Sequence, residues 1–137
     1  MHSHDPRGRV LVIDDEANIR TMLRVCLEGA GYEVTLAASG EAGVTAARRN
    51  PPDMALVDLR MPGMDGIAVV RALAHDAPAT AAVLMTAYAT IDNAVDAVRA
   101  GAFDYLPKPF TPQQVLHAVG KALAQLRLRQ ELADDMA

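Results

Sequence analysis

Short apolar runs alternate along the chain with stretches whose apolar residues recur every three or four positions. Arg9-Val10-Leu11-Val12-Ile13 is continuous and β-branched, the pattern of a buried strand. From Ala17 to Ala30 the apolar positions are Ile19, Leu23, Cys26, Leu27 and Ala30, which is helical spacing, and Gly31 is placed to end the helix. Tyr32 to Ala37 reads as a second strand, and Gly40 to Arg49 as a helix stopped by Asn50-Pro51-Pro52. The same alternation predicts strands over Met54 to Val57, Ala81 to Met85 and Phe103 to Leu106. Between them it predicts helices over Gly66 to His75 and Ile91 to Ala100, the latter closed by Gly101. Thr111-Pro112-Gln113-Gln114 starts the last helix with a hydroxyl cap, a proline at the first helical position and a glutamine three residues after the cap. That helix runs from Pro112 towards Leu132.

Five strand–helix units imply an α/β fold, a parallel sheet with helices on both faces. Right-handed crossovers restrict the topology, and the flavodoxin-like (βα)5 order 2-1-3-4-5 is the simplest five-unit solution. In that order the sheet reverses direction between its first and third strands, and ligands bind in the crevice beyond their carboxyl ends.

The residues at those ends are polar and chemically matched. The first strand ends in Asp14-Asp15-Glu16, the third in Asp58, the fourth in Thr86-Ala87 and the fifth in Lys108-Pro109. Three aspartates drawn together repel, and cannot all ionise at low cost without a counter-charge. Carboxylates with a backbone carbonyl and waters suit an octahedral Mg²⁺ (or Mn²⁺), and Lys108 adds a further positive charge. A carboxylate, a divalent cation, a lysine and a hydroxyl around one void are the parts of a phosphoryl-transfer site, in which a carboxylate can be the nucleophile and Thr86 can bond a phosphoryl oxygen. Each residue alone has an ordinary explanation: Asp14 a helix cap, Asp58 a turn residue, Thr86 a cap, Lys108 a solvated surface charge. Their conjunction at four strand ends is what points to chemistry.

Composition narrows the function classes. The 137 residues amount to one domain, and 51% hydrophobic with 22% charged residues is an ordinary globular balance. A net charge of -4 argues against a dedicated nucleic-acid binder. The single cysteine, Cys26, excludes an internal disulfide framework and fits a reducing, cytoplasmic setting; its place on the apolar side of the first helix reads as inert core. No apolar run approaches the roughly 20 residues of a membrane span. His2 and His4 flank Ser3 in a segment over residues 1–8 expected to be flexible, where a metal site is not expected. Met61 and Met64 are expected to pack the loop after Asp58.

The motifs Val12-Ile13-Asp14-Asp15-Glu16, Val57-Asp58-Leu59-Arg60-Met61-Pro62-Gly63-Met64-Asp65-Gly66, Met85-Thr86-Ala87 and Tyr105-Leu106-Pro107-Lys108-Pro109-Phe110 resemble those of the receiver domain of two-component response regulators. The resemblance covers residues 9–125. It implies that Asp58 is the phosphoacceptor, charged by a sensor histidine kinase, and that Asp14 and Asp15 are the acidic Mg²⁺ pair, with Asp58 and the backbone carbonyl of Arg60 completing the metal site. On this reading the Arg60 side chain has no part. Lys108 would pair with the phosphoryl group, with a cis Lys108–Pro109 bond, and Thr86 and Tyr105 would form a switch reshaping the face of the fourth helix, fifth strand and fifth helix. The stretches from Thr86 to Val95 and Gly101 to Phe110 resemble receivers of NtrC-type regulators, which drive sigma-54-dependent transcription through an ATPase domain.

Beyond residue 125 the last helix continues over 126–137, expected to be a linker to an output domain absent from this chain, since no G-x-x-x-x-G-K-[ST] motif is present. Leu116, Val119, Leu123 and Leu126 follow the 3-4-3 spacing of a coiled-coil seam that would pair two copies. The alternative is a stand-alone phosphorelay receiver acting through protein–protein contacts. Three rivals use parts of the same pattern. A phosphatase of the haloacid-dehalogenase type also pairs an Asp nucleophile with Mg²⁺, but places Asp-x-Asp after its first strand, where this chain has adjacent acids. A flavin-binding module wants phosphate donors after that strand, where this chain offers carboxylates. An interaction module regulated without phosphate has no use for the full acid–lysine set.

Overall fold

The computed structural model describes residues 7–136. Strands β1 (Arg9–Ile13), β2 (Glu33–Ala37), β3 (Met54–Asp58), β4 (Ala81–Thr86) and β5 (Asp104–Pro107) alternate with helices α1 (Ala17–Gly29), α2 (Gly40–Arg49), α3 (Gly66–Asp76), α4 (Ile91–Ala100) and α5 (Pro112–Met136). The five strands form one parallel sheet in the order β2-β1-β3-β4-β5, as the alternation predicts.

Side chains alternate across the sheet and build two cores. Leu11, Ile13, Val57 and Leu84 face α2, α3 and α4, whereas Val10, Val12, Leu56 and Met85 face α1 and α5. The helices are cut to length by local chemistry. Ser39, Asp65 and Thr90 cap α2, α3 and α4, each accepting a hydrogen bond from the backbone N–H three residues on. At α5 the capping box is reciprocal: Gln114 N donates to the Thr111 hydroxyl at 3.1 Å, and Thr111 N donates to Gln114 Oε1 at 2.8 Å. Gly31 and Gly101 take positive φ just past α1 and α4, where a side chain would be strained. The helices are anchored unequally. Val69, Val70 and Leu73 of α3 are buried, but the buried side chains of α4 are only Ala97 and Ala100, and its Ile91 and Val98 are 83% and 73% exposed.

Three expectations need correction. Arg7 and Gly8 belong to the folded body: Arg7 N donates to the Gly31 carbonyl and Gly8 is buried; His2, His4 and the rest of the expected flexible segment lie outside the described residues. Cys26 is half-buried rather than core, lining a groove between α1 and α5 with its sulfur 3.9 Å from the Pro112 carbonyl. Val119 and Leu123 are buried in the domain's own core and Leu116 packs against it, so three of the four positions of the 3-4-3 stripe of α5 are taken by that core, while Leu126 is half-buried outside it. Past that stripe α5 continues to Met136 with Leu128 and Leu132 exposed. Among the described residues no helix is long and apolar enough to cross a membrane.

Candidate functional site

Parallel register brings the strand ends together. Ile13 lies beside Val57, Asp58 beside Met85, and Thr86 beside Pro107, so the residues at or just past each carboxyl end line one crevice. Asp14 is wholly buried, Asp58 is 6% exposed and Thr86 1%, while Asp15 is exposed at the rim. These three are the buried polar side chains among the described residues, and all lie at this edge. Carboxylate oxygens of Asp14, Asp15 and Asp58 lie within 4.8 Å of one another. Lys108 reaches in from beyond β5, its Nζ donating to Asp14 Oδ2 at 3.1 Å and Asp58 Oδ1 at 3.0 Å. The Lys108–Pro109 peptide bond is cis.

Three carboxylates against one ammonium leave an excess of negative charge. The Asp58 carboxyl is pushed up from 3.8 to about 6, by burial first and then by the charges of Asp14 and Asp15, with Lys108 opposing. Burial also works against the Lys108 ammonium, but the hydrogen bonds and charges of Asp58 and Asp14 outweigh it, and Lys108 sits above its ordinary range. A crowded oxygen-donor set with unbalanced negative charge is what a hard divalent cation fits. The loop after β3 is held close by glycine: a Cβ on Gly66 would meet the Asp58 carbonyl at 2.5 Å and Leu59 Cα at 2.7 Å, and Gly66 N donates to the Leu59 carbonyl at 2.8 Å.

The remaining assigned residues meet at Tyr88, which pattern reading overlooks. The Thr86 hydroxyl accepts a hydrogen bond from Tyr88 N at 2.9 Å. The half-buried Tyr105 donates its phenol to the Tyr88 carbonyl at 3.2 Å, and Asn93 Nδ2 donates to the same carbonyl at 2.7 Å. Burial pushes the Tyr105 phenol up, with the neighbouring Thr86 hydroxyl acting the other way. The Arg60 side chain is not idle: its guanidinium lies 3.8 Å from the centroid of the Tyr88 ring, linking the loop after Asp58 to the loop after Thr86. Met61 is buried and Met64 half-buried against the α2–α3 core, the packing role expected of them.

The chain has counterparts among known proteins. A family profile described as the response regulator receiver domain matches residues 10–120. The chain belongs to the response regulator receiver family. The receiver is 39% identical over 125 residues to the DNA-binding transcriptional regulator NtrC of Salmonella typhimurium, an alignment covering 91% of this chain and 27% of the relative. Against the structure of NtrX from Brucella abortus the TM-score is 0.87 at 28% identity, over 93% of this chain and 29% of that one. A receiver domain protein from Clostridium thermocellum superposes with a TM-score of 0.83 at 33% identity, over 88% of this chain and 98% of that one. The chain is thus a receiver domain of the kind found in NtrC-type regulators, and it spans about a quarter of the length of the curated relatives it matches.

Proposed function

We propose that this receiver takes a phosphoryl group onto Asp58 from a sensor histidine kinase and uses it to control an output domain. The observation that carries the reading is Lys108 Nζ placed at 3.1 and 3.0 Å between the buried Asp14 and Asp58 carboxylates at the sheet's switch point. An Asp58 oxygen attacks phosphorus; the new P–O bond forms as the donor's P–N bond breaks, and the imidazole nitrogen leaves with the electron pair and takes a proton. Asp14, Asp15, Asp58 and the Arg60 carbonyl would hold Mg²⁺ or Mn²⁺, which supplies positive charge to the transferring oxygens. Lys108 moves its hydrogen bonds from carboxylates to phosphoryl oxygens, a stronger partner. Thr86 gives up the Tyr88 amide to reach the phosphoryl group, and the Tyr88–Tyr105 contact transmits that change to β5 and α4. Phosphorylation then acts as a population shift. The domain is a switch that loads once and resets by hydrolysis, rather than a turnover enzyme.

The NtrC-type relatives support an output in sigma-54-dependent transcription, and the continuation of α5 to Met136 supports a helical connection to it. The exposed Ile91 and Val98 of α4 support a homodimer through the face of α4, β5 and α5. The reading is tested by intact mass after incubation with Mg²⁺ and acetyl phosphate. One phosphoryl adduct is expected, absent without metal and in Asp58→Ala. No adduct under any metal condition would overturn the assignment of Asp58.

A further inference from the structure

We infer that Arg20 is a positioning residue for the acidic pair, a role that rests on the metal reading above. Asp14 is buried with every polar group engaged. Its N–H donates to the Ala37 carbonyl at 3.1 Å, and its Oδ1 accepts from Glu16 N at 2.9 Å. Its Oδ2 accepts from Lys108, and its carbonyl accepts from Arg20 Nη1 at 2.8 Å. The first three contacts come from the sheet, the acidic loop and the residue just past β5. Among the described residues only Arg20 ties Asp14 to the body of α1, and it does so across the turn that carries Asp15.

That tie matters because α1 begins without the usual device. Glu16 stands at its N-cap and makes no side-chain capping hydrogen bond, whereas α2, α3 and α4 are each capped. The turn from Asp14 to Ala17 is therefore held by the Asp14 carboxylate on Glu16 N at one end and by the Arg20 guanidinium on the Asp14 carbonyl at the other. Among the described residues Arg20 makes no ion pair, so its charge sits beside the acids without occupying a carboxylate oxygen. Lys108 does the opposite and takes one oxygen each from Asp14 and Asp58. A cation entering the site competes with Lys108 but not with Arg20.

Two roles for Arg20 predict opposite signs. If it contributed only charge, its removal would tighten binding of a divalent cation by relieving repulsion. If it positions the acids, its removal weakens binding, by about 10- to 100-fold for loss of a partner that orients metal ligands. The test is a Mg²⁺ titration at fixed ionic strength, followed by the amide resonances of Asp15 and Leu59, on the parent, Arg20→Met and Arg20→Lys. Weaker binding in Arg20→Met, with most of it restored in Arg20→Lys, is expected, and thermal unfolding without metal should move little. Unchanged or tighter binding in Arg20→Met would overturn the inference. In the parent the Arg20 side-chain NMR signal should shift as Mg²⁺ binds, which keeps the inference testable if the methionine variant fails to fold; an unmoved signal in a parent that binds Mg²⁺ also overturns it. A folded parent that binds no Mg²⁺ would instead remove the metal reading on which the inference stands.

Discussion

Asp58→Asn separates charge from shape at the centre of the crevice. The amide keeps an oxygen to accept from Lys108, which approaches Asp58 at 3.0 Å, but it cannot ionise. In the parent the carboxyl titrates near 6 when folded and near 3.8 when unfolded. Between these values the folded state holds the proton more tightly, so unfolding releases it and stability falls as pH rises. The ionisation penalty is absent below pH 3.8 and complete above about pH 6. Two pKa units correspond to a ceiling of about 3 kcal/mol, and screening at the mouth of the crevice reduces this to about 1–2 kcal/mol. Asp58→Asn should therefore unfold about 3–6 °C higher than the parent at pH 7.5. The gain should fade as the pH approaches 4, and shrink at pH 7.5 when millimolar Mg²⁺ supplies the counter-charge. Thermal unfolding by circular dichroism at pH 4, 5.5 and 7.5, with and without Mg²⁺, measures all three. A variant less stable than the parent at pH 7.5, or a difference independent of pH, would refute the charge-excess argument.

Gly66→Ala drives a methyl group into the Asp58 carbonyl, so it should lose about 1–3 kcal/mol in urea unfolding and take up phosphoryl more slowly. Thr90→Ala removes the α4 cap and should cost about 1 kcal/mol, seen as faster amide exchange in the first turn of α4 with α3 unaffected. Ending the chain after Arg127 removes the exposed residues 128–135, Leu128 and Leu132 among them, together with the last two residues, and should change unfolding free energy by less than about 0.5 kcal/mol; a larger loss would show that the overhang of α5 belongs to the folding unit.

What could be read from sequence was what periodicity and topology control. Strand runs locate the carboxyl ends, the crossover rule orders the strands, and Asp14, Asp58, Thr86 and Lys108 then meet without further information. Contacts between loops have no period. Nothing in the spacing of Arg60 and Tyr88 announces that a guanidinium will lie on a ring 28 residues further along, and the hydrogen bonds that meet at Tyr88 are as silent in the sequence. Arg20 left only a faint signal, a basic residue in the first turn and a half of a helix that follows an acidic loop. Periodicity also reports that a stripe is apolar but not what covers it. Cys26 shares the helical spacing of Leu23 and Leu27, yet falls at the edge towards α5, and three of the four seam positions of α5 that look free to pair already pack into the domain's own core.

The unequal anchoring of the helices sets how readily each part of the fold can open. Two buried alanine methyl groups hold α4 with about 1–2 kcal/mol of apolar contact, where Val69, Val70 and Leu73 hold α3 with about 5–8 kcal/mol. Detachment of α4 is then an excursion of the native state that needs no global unfolding, and its amides should exchange through sub-global opening while those of α3 wait for the whole domain. Under the proposed phosphorylation of Asp58, a new charge at the sheet edge would meet less resistance in α4, beside β5, than in α3, which stays part of the rigid frame.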